Sequence, residues 1–239
     1  MKKLVLRTSF LFYFMLKYFE VTFIKGFSEM KVINKMEKLD YKKIGEDLKK
    51  GKLIIYPTDT VYGVGGIITN EETIKNIYKA KDRSFSSPLI ALVSSAEKIE
   101  DIAFINEKNS EKIEKLMKTF WPGGLTIILE SKDVVPPIMI SNGKTVGVRM
   151  PDHETALKII ESAGGILPTT SANISGEATP RSYDELDEEF KKRVDIIVDG
   201  GKCPIGTAST IIDMSSENIK ILREGAISQE QIEKIIGKI

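Results

Sequence analysis

The sequence contains one cysteine, one histidine and one tryptophan in 239 residues. With Cys203 alone, no disulfide can form within the chain, and there is no Cys/His cluster with zinc spacing. A single thiol beside Pro204, with no partner base in view, reads as a packed residue rather than a nucleophile. The single histidine, His153, limits hydrolase chemistry, since a Ser-His-Asp or Cys-His arrangement would have to be built around it. It follows Pro151 and lies between Asp152 and Glu154 where a helix begins, so a surface or capping role is expected. An excess of one charge is also missing: 35 Lys and Arg face 34 Asp and Glu, for a net charge of +1. General polyanion binders carry a strong basic excess, so any phosphate recognition here must be local. Neither G-x-x-x-x-G-K-[ST] nor G-x-G-x-x-G followed by a helix occurs, so neither a P-loop nor a Rossmann fingerprint applies. The apolar run Ser9–Leu16 comes after Lys2, Lys3 and Arg7 like a signal-peptide core. It falls short of the roughly 20 residues a bilayer span needs. Lys17 and Glu20 interrupt the chain just beyond it, and no small-x-small cleavage site appears.

Residues 1–38 therefore read as an N-terminal extension. They are either the product of an upstream start, with Met30 or Met36 as the true one, or a loosely attached, poorly ordered segment. Residues 39–239 read as one domain, and a cytoplasmic protein with no membrane partner is expected. At 41% apolar and 29% charged residues, this chain can bury a real core. Helical spacing or strand-like runs alternate along it. Helices are expected around Ile44–Leu48, over Glu71–Lys81, Ser110–Phe120, Glu154–Ala163 and Asp184–Arg193, and over Ser228–Ile236 with Ser228 as N-cap. Strands are expected at Leu53–Tyr56, Leu89–Val93, Leu125–Leu129, Thr145–Arg149, Ile166–Thr170, Asp195–Val198, Ser209–Asp213 and Ile219–Arg223. No internal repeat, low-complexity tract or linker interrupts them. The fold class is α/β (mixed α+β), one domain with a mixed sheet.

Several strands end in polar or glycine-containing segments, and ligand sites in open α/β sheets gather at strand ends. Pro57–Gly66 (PTDTVYGVGG) places hydroxyls, a carboxylate and a tyrosine after an apolar strand, followed by glycines that let backbone approach a ligand. A tight turn between two strands is the plain alternative. Lys79–Arg83 puts cations at a helix end, which the helix dipole partly explains. In Val146–Pro151 an arginine sits on an apolar strand, where it is costly unless paired. Arg149 could hold a ligand carboxylate bidentately or an internal Asp. Pro168–Gly176 is rich in hydroxyls and backbone N–H groups suited to anionic oxygens. Gly206–Thr210 precedes one apolar strand, and Arg223 ends another.

Taken in order, PTDTVYGVGG, AKDR, FWPGGLTIIL, VGVRMP, TTSANISG, STIID and LREG resemble the YrdC/TsaC family, the threonylcarbamoyl-AMP synthases, from about Tyr41 to Gly225. The resemblance implies a single YrdC-like domain: a twisted mixed β-sheet flanked by helices, with a concave ligand-binding face. It implies a nucleotidyltransferase that joins L-threonine, bicarbonate and ATP into threonylcarbamoyl-adenylate and pyrophosphate. A downstream tRNA threonylcarbamoyltransferase complex would then modify adenosine 37 of tRNAs reading ANN codons. The motif positions imply L-threonine contacts at Thr60, Arg149, Thr169 and Ser209. They imply ATP contacts at Lys81, Arg83, Ser87, Thr145, Ser171, Thr179 and Arg223, with Lys81 and Arg83 catalytic. Mg2+ would arrive with ATP, since the sequence has no dedicated all-protein cage for it. Nucleotidyl transfer of this kind can rest on positioning and charge stabilisation, without a covalent enzyme intermediate.

The sequence departs from the family pattern in three places. Asp59 stands where the family often has Glu. Ser87 stands where many members have Lys or Asn, which weakens a phosphate or ribose contact. Leu92 stands where some archaeal and eukaryotic members have His, so it has no polar role. Two other readings share the fold. An RNA-binding module, or weak RNA binding beside the activity, would need a basic-aromatic stripe that is not seen. A carbamoyl-adenylate enzyme belongs to longer chains with a second catalytic domain, and the short tail after Gly225 predicts the short single-domain form.

Overall fold

The computed structural model describes residues 31–33 and 39–239. Much of the expected N-terminal extension lies outside the described residues, but Lys31–Ile33 (β1) is a strand paired in parallel with Ile196–Val198. Next come helix α1 (Tyr41–Lys49), strand β2 (Ile54–Tyr56) and strand β3 (Gly63–Gly65), then helix α2 (Glu71–Ala80) and strand β4 (Ile90–Val93). After these lie short helix α3 (Ile99–Ile102), strand β5 (Ala103–Phe104), helix α4 (Ser110–Phe120) and strand β6 (Leu125–Ser131). The second half comprises β7 (Thr145–Arg149), α5 (Glu154–Ser162), β8 (Ile166–Ser171), α6 (Glu188–Lys191) and β9 (Ile196–Val198), then β10 (Thr210–Asp213), β11 (Lys220–Arg223) and α7 (Gln229–Ile236).

All strands join one mixed sheet in the order β1-β9-β2-β3-β8-β4-β7-β6-β10-β11, with β5 paired to β6. The two-residue period of a strand sorts its side chains between the sheet's faces. Ile55, Ala91, Val93, Ile127, Val148 and Ile197 enter a large core that also takes Ile74 and Ile77 of α2, Leu116 of α4 and Ile232 of α7. Their neighbours Ile54, Tyr56, Leu92, Leu167, Ile196 and Val198 face the other way, onto Ile44 and Leu48 of α1 and Ala156, Ile159 and Ile160 of α5. Helices α1 and α5 thus cover that second face from β9 across to β8 and β4. Farther along it, the same alternation brings up Ile90, Arg149, Thr169, Ser171 and Ile211, which line a cavity.

The helix boundaries reflect local chemistry. Asp40, Asn70 and Ser228 accept from first-turn backbone N–H groups, and Ser228 completes a capping box with Gln231. The strand Gly63–Gly65 goes beyond the sequence expectation of a polar turn, because glycine has little intrinsic strand preference. Its reason is tertiary: a Cβ on Gly65 would come within 2.8 Å of the Pro168 carbonyl oxygen, so only glycine lets β3 lie this close to β8. One expected helix is corrected. Over 184–193 the chain forms a single 3-10 turn, Tyr183–Glu185, and then a separate α6. Leu186 is extended, and the Asp187 carboxylate caps the second piece through the Phe190 N–H at 2.7 Å, so the acidic run supplies a cap rather than a helix interior. Among the described residues, no helix is long and apolar enough to cross a membrane.

Candidate active site

The cavity on the second face encloses about 190 Å3. Its wall contains Thr60, Arg83, Arg149, Thr169, Ser171, Thr179, Ser209 and Arg223, so eight of the residues singled out in the sequence meet in one place. Thr58, Val61, Tyr62, Ile90, Leu92 and Ile211 line it as well. Thr58, to which the motif positions assign no contact, lies in the same PTDT segment. Its hydroxyl lies 3.1 Å from that of Thr60 and donates to the Val61 carbonyl at 2.7 Å, which fixes the turn that presents Thr60.

Arg149 ends β7, where its register partner on β4 is Leu92. Buried at 4% exposure, it is paired: Nη2 donates to the Asp59 carboxylate and Nε donates to the Gly123 carbonyl at 2.8 Å. The internal Asp partner is therefore present, and the residue also lines the cavity. Burial pulls its pKa down and Asp59 pulls it back up, and a guanidinium stays charged through both. Asp59 is itself buried, and its second carboxylate oxygen has no hydrogen-bond partner.

Thr169 lies on β8 opposite Ile90 and Gly65. Its hydroxyl donates to the Leu167 carbonyl at 2.9 Å and lies 2.7 Å from the Tyr56 hydroxyl. Burial raises the Tyr56 pKa, so this phenol remains a neutral donor. Ser209 and Arg223 act together. Arg223 Nε and Nη2 donate to the Ser209 carbonyl at 3.0 and 2.8 Å, and the Ser209 and Thr126 hydroxyls lie 2.9 Å apart.

Arg83 is aimed by the end of α2. Lys81 is the C-cap, Asp82 takes the left-handed conformation at φ 50°, and the Arg83 N–H returns to the Tyr78 carbonyl at 3.0 Å while the Asp82 N–H meets that of Lys79 at 3.2 Å. These two bonds form a Schellman motif with Asp in place of the usual Gly. The Asp82 carboxylate is held by Arg193 at 2.7 Å, which secures the turn. Arg83 Nε and Nη2 donate to the carbonyls of Ser87 and Pro88 at 3.1 and 3.2 Å. Burial lowers the pKa of Arg83 and of Arg223 alike, without discharging either.

Three expected contacts are not among the lining residues. Thr145 is exposed at the far end of β7, four positions before Arg149. The Ser87 carbonyl accepts from Arg83 and Tyr78, but its side chain lies outside the wall. Lys81 is 1% exposed and also lies outside the wall. Its ammonium donates to the Ser171 carbonyl, to the Asn173 carbonyl at 2.5 Å and to Asn173 Oδ1 at 3.2 Å. Burial, and after it the nearby Arg83, lower its pKa to about 7, while three oxygen acceptors favour the charged amine. His153 caps α5, accepting from the Ala156 N–H at 3.3 Å.

The wall thus combines three guanidinium groups with hydroxyls and contains no carboxylate. It suits a ligand, or two ligands, carrying several anionic oxygens. Residues 46–225 match the Sua5/YciO/YrdC family, described as telomere recombination. The chain is 40% identical over 211 residues to the threonylcarbamoyl-AMP synthase of Pyrococcus abyssi (strain GE5 / Orsay), covering 87% of this chain and 61% of that one. It is 38% identical over 193 residues to the threonylcarbamoyl-AMP synthase of Bacillus subtilis (strain 168), covering 80% of this chain and 55% of that one. In three dimensions it resembles P. abyssi Sua5 complexed with L-threonine, with a TM-score of 0.81 and 40% identity over 88% of this chain and 62% of that one. It therefore spans little more than half the length of these relatives. With the family model matching residues 46–225, the chain belongs to the Sua5/YciO/YrdC family.

Proposed function

We propose that the protein is an L-threonylcarbamoyladenylate synthase, using L-threonine, bicarbonate and ATP. The observation that carries this reading is the convergence of Thr60, Arg149, Thr169 and Ser209 with Arg83, Ser171, Thr179 and Arg223 on one cavity. The similarity to named threonylcarbamoyl-AMP synthases supports it. Size divides the cavity's work. About 190 Å3 falls below the roughly 300–1,000 Å3 typical of pockets for larger ligands. The cavity accommodates an amino-acid-sized group, and the larger nucleotide would extend beyond it from the part of the wall that carries Arg83, Thr179 and Arg223.

In this reading Arg149 holds the threonine carboxylate, with Asp59 and the Gly123 carbonyl fixing its guanidinium plane from behind. Thr60, Thr169 and Ser209 orient the rest of the amino acid. The threonine amine combines with bicarbonate to give a carbamate and water. A carbamate oxygen then attacks the α-phosphorus of ATP, its bond to the bridging oxygen breaks, and pyrophosphate leaves. Arg83 and Arg223 stabilise charge on the phosphate oxygens, and the chain's task is to align the two reactants. Among the described residues no group of three or more His, Cys, Asp or Glu side chains could hold a metal, and no carboxylate lines the cavity. Mg2+ would be carried by the ATP phosphates and would neutralise their charge there, with the Ser171 and Thr179 hydroxyls of the wall available to it. The product would feed a separate transferase acting on tRNA.

The test is incubation with ATP, labelled bicarbonate and each amino acid in turn, following pyrophosphate and the labelled adenylate. The expected result is release that requires threonine. Release without threonine, or equal release with unrelated amino acids, would overturn the assignment.

A further inference from the structure

Lys81 is a buried amine that the proposed chemistry does not use from where it stands. An ammonium has three N–H donors, and all of them are committed, to the Ser171 carbonyl, the Asn173 carbonyl and Asn173 Oδ1. The Asn173 side chain is closed in turn. Its amide donates to the carbonyls of Ile174 at 3.0 Å and Glu177 at 2.8 Å, while its Oδ1 also accepts from the Ser171 hydroxyl at 2.5 Å. A second strut runs the other way, from the Ser175 N–H to the Lys81 carbonyl at 2.9 Å. On the helix side, Lys81 is the C-cap of α2, two residues before Arg83. On the sheet side, Ser171 is the last residue of β8. Both Arg83 and Ser171 line the cavity, and Lys81 does not.

We propose that Lys81 is a positioning residue that ties the end of α2 to the Ser171–Asn173 turn, holding Arg83 and Ser171 in one frame for the nucleotide. This rests on the reading of that side of the cavity as the ATP site. For Lys81 to touch a phosphate directly, its ammonium would have to abandon three acceptors and leave a position that is 1% exposed. The tie explains the pairing of a basic residue after α2 with an asparagine after β8 by the need to fix two loops that share no backbone ladder.

The test uses the full chain with Lys81→Met, Asn173→Ala and the double substitution. Each single change is expected to weaken ATP binding by about tenfold or more, as for the loss of a charged hydrogen bond, with threonine affinity nearly unchanged. Because both changes cut one tie, the double variant should bind ATP no worse than the weaker single variant. Losses that multiply in the double variant would show Lys81 and Asn173 acting separately and would overturn the proposal. A second readout needs no substitution of Lys81. In 15N-labelled protein at about pH 6, below the Lys81 pKa, the ammonium should give an exchange-protected signal that persists when ATP is added and is lost in Asn173→Ala. A signal that loses its protection on adding ATP, or survives Asn173→Ala intact, would contradict the tie even if Lys81→Met fails to fold. If the unaltered protein does not bind ATP, the nucleotide reading falls, while the effect of Asn173→Ala on the ammonium signal still judges the tie.

Discussion

Arg149 and Lys81 are two buried cations of one domain, and their partners differ. Arg149 is held at its edges by one carboxylate and one carbonyl and still faces the cavity. Lys81 is enclosed by oxygen acceptors and does not line that cavity. The planar guanidinium has five N–H donors and can be clamped on one side while presenting the other to a ligand. The ammonium has three, and a three-acceptor cage spends them all. A basic residue in a motif can therefore serve a ligand or the architecture around it, and the count of committed donors tells which.

The largest expected effect that tests this contrast is on Asp59. Asp59→Ala leaves the Arg149 guanidinium buried without its counter-charge, which should cost about 3–5 kcal/mol of stability. Asp59→Asn keeps an acceptor oxygen and should cost less. Chemical denaturation of both variants measures the difference, and equal midpoints for the unaltered protein and Asp59→Ala would mean that the pair holds nothing in place. Next comes Arg149→Ala, expected to weaken threonine binding by about 2–3 kcal/mol, roughly a hundredfold, when read by titration calorimetry. Unchanged threonine affinity would remove Arg149 from the substrate side. A smaller effect is expected from Thr169→Val, which deletes the hydroxyl shared with Tyr56 and Leu167. It should cost about 1 kcal/mol in stability, visible as a lowered denaturation midpoint. The smallest effect is an absence of reaction. Cys203 is buried, and burial pushes its thiol up to about 11. The thiolate is populated only as pH approaches that value, so a thiol-specific disulfide reagent at pH 8 should label the folded protein slowly and the unfolded protein fully. Rapid labelling of the folded protein would show an accessible thiolate.

The sequence made much of this fold legible where periodicity was strong. The helix over Ser110–Phe120 and the strand over Thr145–Arg149 have the limits read from apolar spacing alone. It held no sign of β3 as a strand, because two of its three residues are glycines, which have little strand preference, and they owe their conformation to the closeness of β8. The broken segment after Tyr183 was hidden for a related reason, since Asp187 could serve as helix interior or as cap and only the buried Phe190 decides. At the site, an Asp partner for Arg149 was foreseeable from the expense of an arginine on an apolar strand, but its identity was not, because Asp59 is 90 positions away. Lys81 is the clearest case. Its neighbour Arg83 lines the cavity while Lys81 turns inward, and the one-residue separation between them says nothing about that until the Schellman turn at Asp82 is in place. Among the expected contacts outside the wall, Thr145 shares the face of β7 with Arg149 but lies at the opposite end of the strand, a distance that motif order does not convey.

The most direct test of a single cavity shared by two substrates is steady-state pyrophosphate release by Arg149→Ala and Arg83→Ala, with ATP and threonine varied in turn at saturating bicarbonate. Arg149→Ala is predicted to raise the KM for threonine and leave that for ATP nearly unchanged, while Arg83→Ala does the reverse. Identical losses on both substrates in the two variants, or no loss in either, would contradict the account.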